Sequence, residues 1–157
     1  MKKVLIIMSL VVMLVSCKSN SPVGTKLDMK TEVALKGNWS ISSVTYPGSE
    51  YIKVTSFNIE DSQCFVGSEW SFISNNNKGE MRLTKAACSG YNSPITWYIN
   101  KDGKLVMKFL EGVKAKKMDI GYVLTVTNVT ENSFQLIDNI NVGGKNTNVV
   151  YQFIRNN

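Results

Sequence analysis

Hydrophobic and polar residues alternate along most of the chain after residue 38. The alternation is regular at 69–72, 81–84, 95–99, 105–109, 122–127, 134–136 and 149–155, and two less regular runs cover 39–46 and 52–59. A period of two residues is typical of a β-strand with one buried face. The pattern predicts eight or nine short strands, and only "LEGVKAKKM" at 110–118 is ambiguous between a basic loop and a single helical turn.

Short turn sequences separate these strands. They are "NNNKG" at 75–79, "NKDGK" at 100–104 and "NVGGK" at 141–145, and the Asp102-Gly103 pair is a strong hairpin signal. Consecutive antiparallel strands with one apolar face favour an all-β, up-and-down barrel or a sandwich. A barrel removes the exposed sheet edges, and eight strands enclose just enough room for packed side chains or one small molecule. We therefore predict an antiparallel barrel.

The N-terminal segment predicts export. "MKKVLIIMSLVVMLVSC" has two lysines followed by an apolar run that is too short for a spanning helix, which needs ~20 residues. Its end, Leu14 to Cys17, resembles the lipobox of bacterial lipoproteins, in which the cysteine is lipidated and becomes the mature N-terminus. The alternative is an ordinary secretory signal with an incidental cysteine. By the lipoprotein sorting rule, Lys18 after the cysteine favours the outer membrane.

These features divide the chain into three parts: a signal peptide at 1–16, the lipidated Cys17 with a flexible tether at 17–33, and a barrel domain at 34–157. Acyl chains, each methylene adding ~0.8 kcal/mol, would hold the protein on a membrane surface. The other two cysteines, Cys64 and Cys88, form an even pair suited to a disulfide in an oxidising compartment. The alternative is two free buried thiols.

Charge and composition argue against catalysis and nucleic-acid binding. The net charge of +6 falls to about +4 when Lys2 and Lys3 leave with the signal peptide (6 − 2 = 4), and the cluster at 114–117 fits a solvated loop. The chain has no histidine, so it offers no histidine-based triad and no imidazole metal ligand. Glu60, Asp61 and Asp138 look like solvated surface charges. We expect a non-enzymatic, monomeric module without metal or cofactor.

A tryptophan near the start of the first strand connects the pattern to a family. Gly37-Asn38-Trp39 resembles the G-x-W signature of lipocalins, in which the tryptophan closes one end of the barrel and an arginine from the end of the domain packs over it. Arg155, one of two arginines, stands on the inward face of the last predicted strand. A cation over an indole ring is worth ~1 to 2 kcal/mol when partly desolvated.

The spacing of further residues makes the resemblance more specific. From about residue 34 to the C-terminus the chain is similar to the lipocalin-like domain of many Bacteroidetes lipoproteins. The matching positions are Gly37, Trp39, Cys64, Trp70, Phe72, Gly79, Cys88, Trp97, Leu105, Met107 and Tyr151–Arg155. The resemblance implies a barrel with a calyx and leaves the ligand open.

We consider two functions. In the first, the barrel binds a small hydrophobic or amphipathic molecule, because its inward positions are rich in aromatic residues and methionine. The candidate ligand-binding residues are Trp70, Phe72, Met81, Trp97, Met107, Phe109, Tyr122, Phe134 and Tyr151. In the second, these groups pack the barrel solid and the protein is a surface interaction module for a protein or glycan partner, as in periplasmic lysozyme-inhibitor lipoproteins.

Overall fold

The computed structural model describes residues 30–49, 52–73, 76–110 and 121–157. Residues 30–35 are helical, and a 3-10 helix covers Ser62–Phe65. The strands are β1 (Gly37–Thr45), β2 (Thr55–Ser56), β3 (Glu60–Asp61), β4 (Glu69–Ile73), β5 (Lys78–Arg82), β6 (Asn92–Ile99), β7 (Lys104–Phe109), β8 (Tyr122–Thr127), β9 (Ser133–Val142) and β10 (Lys145–Arg155).

Eight of these strands form a closed antiparallel barrel. Its order around the ring is β1, β4, β5, β6, β7, β8, β9 and β10, and β10 pairs with β1 to close it. The order of the barrel strands around the ring is the same as their order in the chain. The predicted up-and-down connectivity and all-β class are therefore confirmed. The buried residues alternate along each strand and fill the interior.

The predicted strand at 52–59 is wrong as a barrel strand. Only Thr55 and Ser56 are extended there, and they pair with β3 in a separate two-stranded sheet. Phe57 and Asn58 both adopt left-handed backbone conformations, with φ of 55° and 54°, and the Ile59 amide donates to the Ser56 carbonyl at 3.0 Å. The chain therefore reverses direction where the alternation predicted continuation. We call residues 52–59 the plug segment, because it turns into the barrel.

Trp39 and Arg155 close the end of the barrel where β1 begins, which we call the closed end. Trp39 is fully buried and the Arg155 guanidinium carbon lies 4.1 Å from the centroid of its ring. Donors at this end satisfy four carbonyls: Trp39 Nε1 to Leu35 O (2.8 Å), and Arg155 Nε to Glu131 O (2.6 Å), Nη1 to Lys36 O (3.1 Å) and Nη2 to Ala34 O (3.3 Å). The predicted arrangement of indole and guanidinium is present.

Gly37 is required by this arrangement. Its φ is +122°, and a Cβ there would lie 2.6 Å from Arg155 Nη1. A side chain would strain the backbone and push the guanidinium off the indole. The glycine of the G-x-W pattern thus has a steric cause.

The opposite end, which we call the mouth, carries the long connection from β1 to β4. Its 3-10 helix is joined to the loop between β5 and β6 by the Cys64–Cys88 disulfide, with a Cα–Cα distance of 5.9 Å. The predicted disulfide is present. The bond links residues that are 24 positions apart in the sequence, and it ties the part of the connection around Cys64 to the loop between β5 and β6.

Several predictions lie outside the described residues. They concern the signal peptide, Cys17, the lysine cluster at 114–117, and 111–118 of the ambiguous segment. Residues 30–33, assigned to the flexible tether, are helical, so ordered structure begins at least four residues before residue 34. Within the part of the chain that is described, no helix has the length and apolarity needed to cross a membrane.

The closed end predicts a test of stability. Arg155→Ala removes three hydrogen bonds from a charged donor and the contact with Trp39, so we expect urea unfolding to show a loss of about 2–4 kcal/mol. Arg155→Lys keeps the charge but loses the planar guanidinium, so its stability should lie between that of the unchanged protein and that of the Arg155→Ala variant. Arg82→Ala is the matched control, because Arg82 is exposed on β5 and forms an exposed ion pair with Glu69. Equal stability of the Arg155→Ala and Arg82→Ala variants would contradict this role.

Candidate functional site at the barrel mouth

The structure places all nine predicted ligand-binding side chains on the inward face of the barrel. Eight are buried, and Tyr122, at the start of β8, is half-buried. Most of them fall into two groups, one at each end, and Trp70 joins the groups, because its ring centroid lies 6.1 Å from that of Phe72 and 5.6 Å from that of Phe153. Their role in ligand binding stays a prediction, and the division decides which of them a ligand could reach.

At the closed end the rings pack against one another. Phe72 lies 5.2 Å from Trp97 and 6.3 Å from Phe134, measured between ring centroids, and Phe134 stacks on Phe153 at 4.5 Å. Trp39 adds an edge contact with Phe134 at 4.7 Å. These residues contact each other across the interior and form a solid core beneath the indole.

At the mouth four of the predicted residues surround a ring that the sequence did not identify. Phe57 projects from the plug segment, is only 5% exposed, and also contacts Phe65 at 5.2 Å. Its ring centroid lies 5.1 Å from that of Tyr122, 5.3 Å from Tyr151, 5.4 Å from Phe109 and 6.2 Å from Trp70. The Phe57 ring therefore occupies the apolar centre of the mouth.

The two methionines belong to the wall between these groups. Met81 pairs with Trp70 across β4 and β5, and Met107 pairs with Trp97 on one side and Tyr122 on the other. Both are fully buried. Flexible, polarizable thioethers adapt to changes in the shape of the adjacent space.

The plug segment is held by the pairing of β2 with β3 and by further hydrogen bonds to the barrel and to the 3-10 helix. Ser56 Oγ and the Tyr151 hydroxyl lie 2.5 Å apart, the Tyr122 hydroxyl donates to the Phe57 carbonyl, and the Ser62 amide donates to the Val54 carbonyl at 2.8 Å. A bulky side chain at positive φ costs on the order of 1–3 kcal/mol. The Phe57 conformation is therefore maintained by its aromatic contacts against a backbone preference.

Burial sets the protonation state of the hydroxyl beside the plug. Desolvation raises the pKa of the Tyr151 phenol well above its usual range, and the hydrogen bond with Ser56 opposes this only in part. The phenol is a neutral hydrogen-bonding group at any physiological pH.

The predicted position of Asp138 on the solvated surface is wrong. It lies within β9 and faces inward, because it pairs with the fully buried Val149 and alternates with the buried Leu136. Its side chain is half-buried, and desolvation raises the pKa of its carboxyl. The sequence contains a signal for this position. If the predicted strand at 134–136 is extended by two residues, Asp138 falls on the same inward face as Phe134 and Leu136.

Phe57 and Ser56 were missed for a different reason. The run "KVTSFNIE" alternates like a strand, and the hydrophobic pattern gives no sign that the backbone turns at the phenylalanine. Asn58 is the one available signal, since asparagine tolerates positive φ better than most residues.

The closed ring of eight antiparallel strands, with an indole under a guanidinium at one end, defines a lipocalin-like barrel. Comparison with known families agrees: residues 35–136 match the lipocalin-like domain family. The chain belongs to this family.

Two solved structures are similar to this chain at low sequence identity. Bovine odorant-binding protein in complex with a selenium-containing odorant is 14% identical, with a TM-score of 0.46 over 80% of this chain and 73% of that one. Lobster apocrustacyanin A1 is 14% identical, with a TM-score of 0.47 over 85% of this chain and 68% of that one. A search of curated proteins finds no significant match.

Asp138 predicts how stability depends on pH. Because the folded protein binds this proton more tightly than the unfolded chain, whose aspartate pKa is ~3.9, the ionised carboxylate lowers stability above the folded-state pKa. Asp138→Asn should therefore stabilise the protein at pH 7, and the gain should shrink as the pH falls towards 4. Urea unfolding at several pH values measures this.

Asp102→Asn, in the exposed turn between β6 and β7, is the control for losing a surface carboxylate. A gain from Asp138→Asn that is independent of pH, or a loss of stability at neutral pH, would contradict the placement of Asp138 inside the mouth.

Proposed function

We propose that this protein is an exported, lipid-anchored binding protein that takes a small apolar or amphipathic molecule into the mouth of its barrel. The ligand replaces the Phe57 ring among Trp70, Phe109, Tyr122 and Tyr151. Membership of the lipocalin-like domain family supports a binding role rather than an enzymatic one.

One observation carries the proposal: the centre of the mouth is filled by a side chain from a loop instead of one from the wall. The ring of Phe57 contacts five aromatic neighbours from β4, β7, β8, β10 and the 3-10 helix. A loop residue can leave without breaking the backbone hydrogen bonds between barrel strands, and only the side-chain bonds of Tyr122 and Tyr151 to the plug segment would be lost. The space that it leaves is lined by aromatic faces, which favour an apolar guest.

The energy of exchange is moderate. A ligand regains the apolar burial that Phe57 gives up, and the departing residue relaxes its left-handed backbone. In another protein, an engineered apolar cavity of ~150 Å³ binds benzene, so a space left by one aromatic side chain is large enough for a ring-sized guest. The plug lowers the apparent affinity by the fraction of molecules in which it is open.

The second candidate, a surface interaction module, would use the outer face. Tyr98 pairs with Val106 and Val106 with Val123 across β6, β7 and β8, and this row of outward side chains includes two that are about half exposed, at 46% and 53%. Absence of any ligand in the mouth would favour this alternative.

The exchange is tested by removing the plug ring. Phe57→Ala should raise the affinity of the mature protein for the apolar fluorescent probe N-phenyl-1-naphthylamine at least about tenfold, because the probe no longer competes with Phe57. Phe134→Ala is the matched control, since it deletes an equally buried ring beneath Trp39 and leaves the plug intact. Fluorescence titration gives both affinities, and circular dichroism checks that both variants fold.

Equal probe binding by the Phe57→Ala and Phe134→Ala variants would contradict exchange at the mouth. So would a folded Phe57→Ala variant that does not bind the probe.

Anchoring is tested at Cys17. The full-length chain expressed in a bacterial host should incorporate labelled palmitate and fractionate with membranes, because the acyl chains partition into the bilayer. Cys17→Ser should lose both the label and the membrane fraction, while Cys64→Ser with Cys88→Ser should keep them. Label retained by the Cys17→Ser variant would overturn lipidation at this residue.

A further inference from the structure

Three charged side chains lie on the inward side of the described barrel strands, and they differ in their partners. Arg155 at the closed end contacts the Trp39 ring and donates to three carbonyls. Asp138 at the mouth accepts no hydrogen bond from any described residue, and desolvation is the one cause of its shifted pKa. Lys145 shares the inward side of the β9–β10 hairpin but lies exposed at its tip.

Asp138 stands opposite Val149, and it lies two residues along β9 from Leu136, which pairs with Tyr151. The Tyr151 hydroxyl is hydrogen-bonded to Ser56. Among the described residues no buried side-chain oxygen or nitrogen lacks a hydrogen-bond partner, so the oxygens of the half-buried Asp138 remain accessible to solvent. Partial burial still raises the free energy of the charged form, and a donor on a ligand would offset that cost.

The strand register places Asp138 relative to Tyr151, on which the Phe57 ring stacks. Phe57 stacks on Tyr151 with a centroid distance of 5.3 Å and an interplanar angle of 23°. Two residues along a strand span about 7 Å, so Asp138 stands one such step from the stacked pair, towards the solvent. A molecule whose apolar part takes the place of Phe57 brings a short polar arm to this carboxylate.

We propose that the ligand of this barrel is an amphipathic amine, and that Asp138 binds its ammonium group while the apolar part fills the place of Phe57. The inference rests on the proposed function and deepens it. An ammonium supplies both the charge and the hydrogen-bond donors that the carboxylate lacks, and charge-assisted hydrogen bonds are the stronger class. An anionic ligand such as a fatty acid would meet a like charge at the same point and is disfavoured.

The test compares two probes of the same shape on the opened barrel. In the Phe57→Ala protein, 2-phenylethylamine should bind at least about tenfold tighter than 2-phenylethanol at pH 7, measured by calorimetry. In the Phe57→Ala, Asp138→Asn protein this preference should fall to about twofold or less, while binding of the alcohol is unchanged. Glu60→Gln on the same background is the matched control, because Glu60 is a mouth carboxylate carried by β3.

The outcomes separate the two proposals. Equal binding of amine and alcohol to the Phe57→Ala protein overturns the amine inference and leaves ligand binding at the mouth intact. Binding of neither probe overturns ligand exchange, and the amine inference with it. A loss of preference in the Glu60→Gln variant as large as in the Asp138→Asn variant assigns the selectivity to general charge and overturns the role of Asp138. If the Asp138→Asn variant does not fold, the comparison of the two probes on Phe57→Ala still decides.

Discussion

The closure of eight strands into one ring is the constraint on which the rest of this structure depends. Once β10 pairs with β1, the interior has a fixed width and two open ends, and both must be filled or wetted. The chain fills them differently. The closed end is filled by Trp39 from the wall, under an arginine that satisfies three carbonyls, whereas the mouth is filled by Phe57 from a loop. The first arrangement is integral to the sheet, and the second is the one that we propose a ligand replaces.

Most of the barrel could be predicted from the sequence because the signal is local. Inward and outward positions alternate, the turns carry their own residues, and Gly37, Trp39 and Arg155 mark the closed end. The plug could not be predicted, since two consecutive left-handed residues interrupt a run whose hydrophobic pattern continues unchanged. Asp138 was misassigned because a charge near a turn is most often solvated, although its spacing from Leu136 placed it on the inward face. Both wrong predictions concern the mouth of the barrel, one at the plug segment and the other at Asp138.

The candidate site combines these two features. Aromatic rings from four strands provide an apolar slot, a loop residue occupies that slot, and one carboxylate without a partner stands at its outer rim. Each would be unfavourable in a barrel that served only as a scaffold: the left-handed phenylalanine is strained, and the carboxylate is partly desolvated. In the proposed function, both costs are relieved when an amphipathic molecule enters. Strained local features are common where proteins bind ligands, and here both lie at the mouth, on either side of Tyr151.

The most direct test of this account follows the ring of Phe57 itself. With 4-fluorophenylalanine incorporated at position 57 of the mature protein, fluorine NMR reports whether this ring is buried or exposed during a titration with 2-phenylethanol, a neutral probe whose binding does not require Asp138. The account predicts that the resonance moves from a buried position to that of a solvent-exposed fluorophenylalanine as the probe saturates the site. A resonance that stays at its buried position throughout the titration would contradict it.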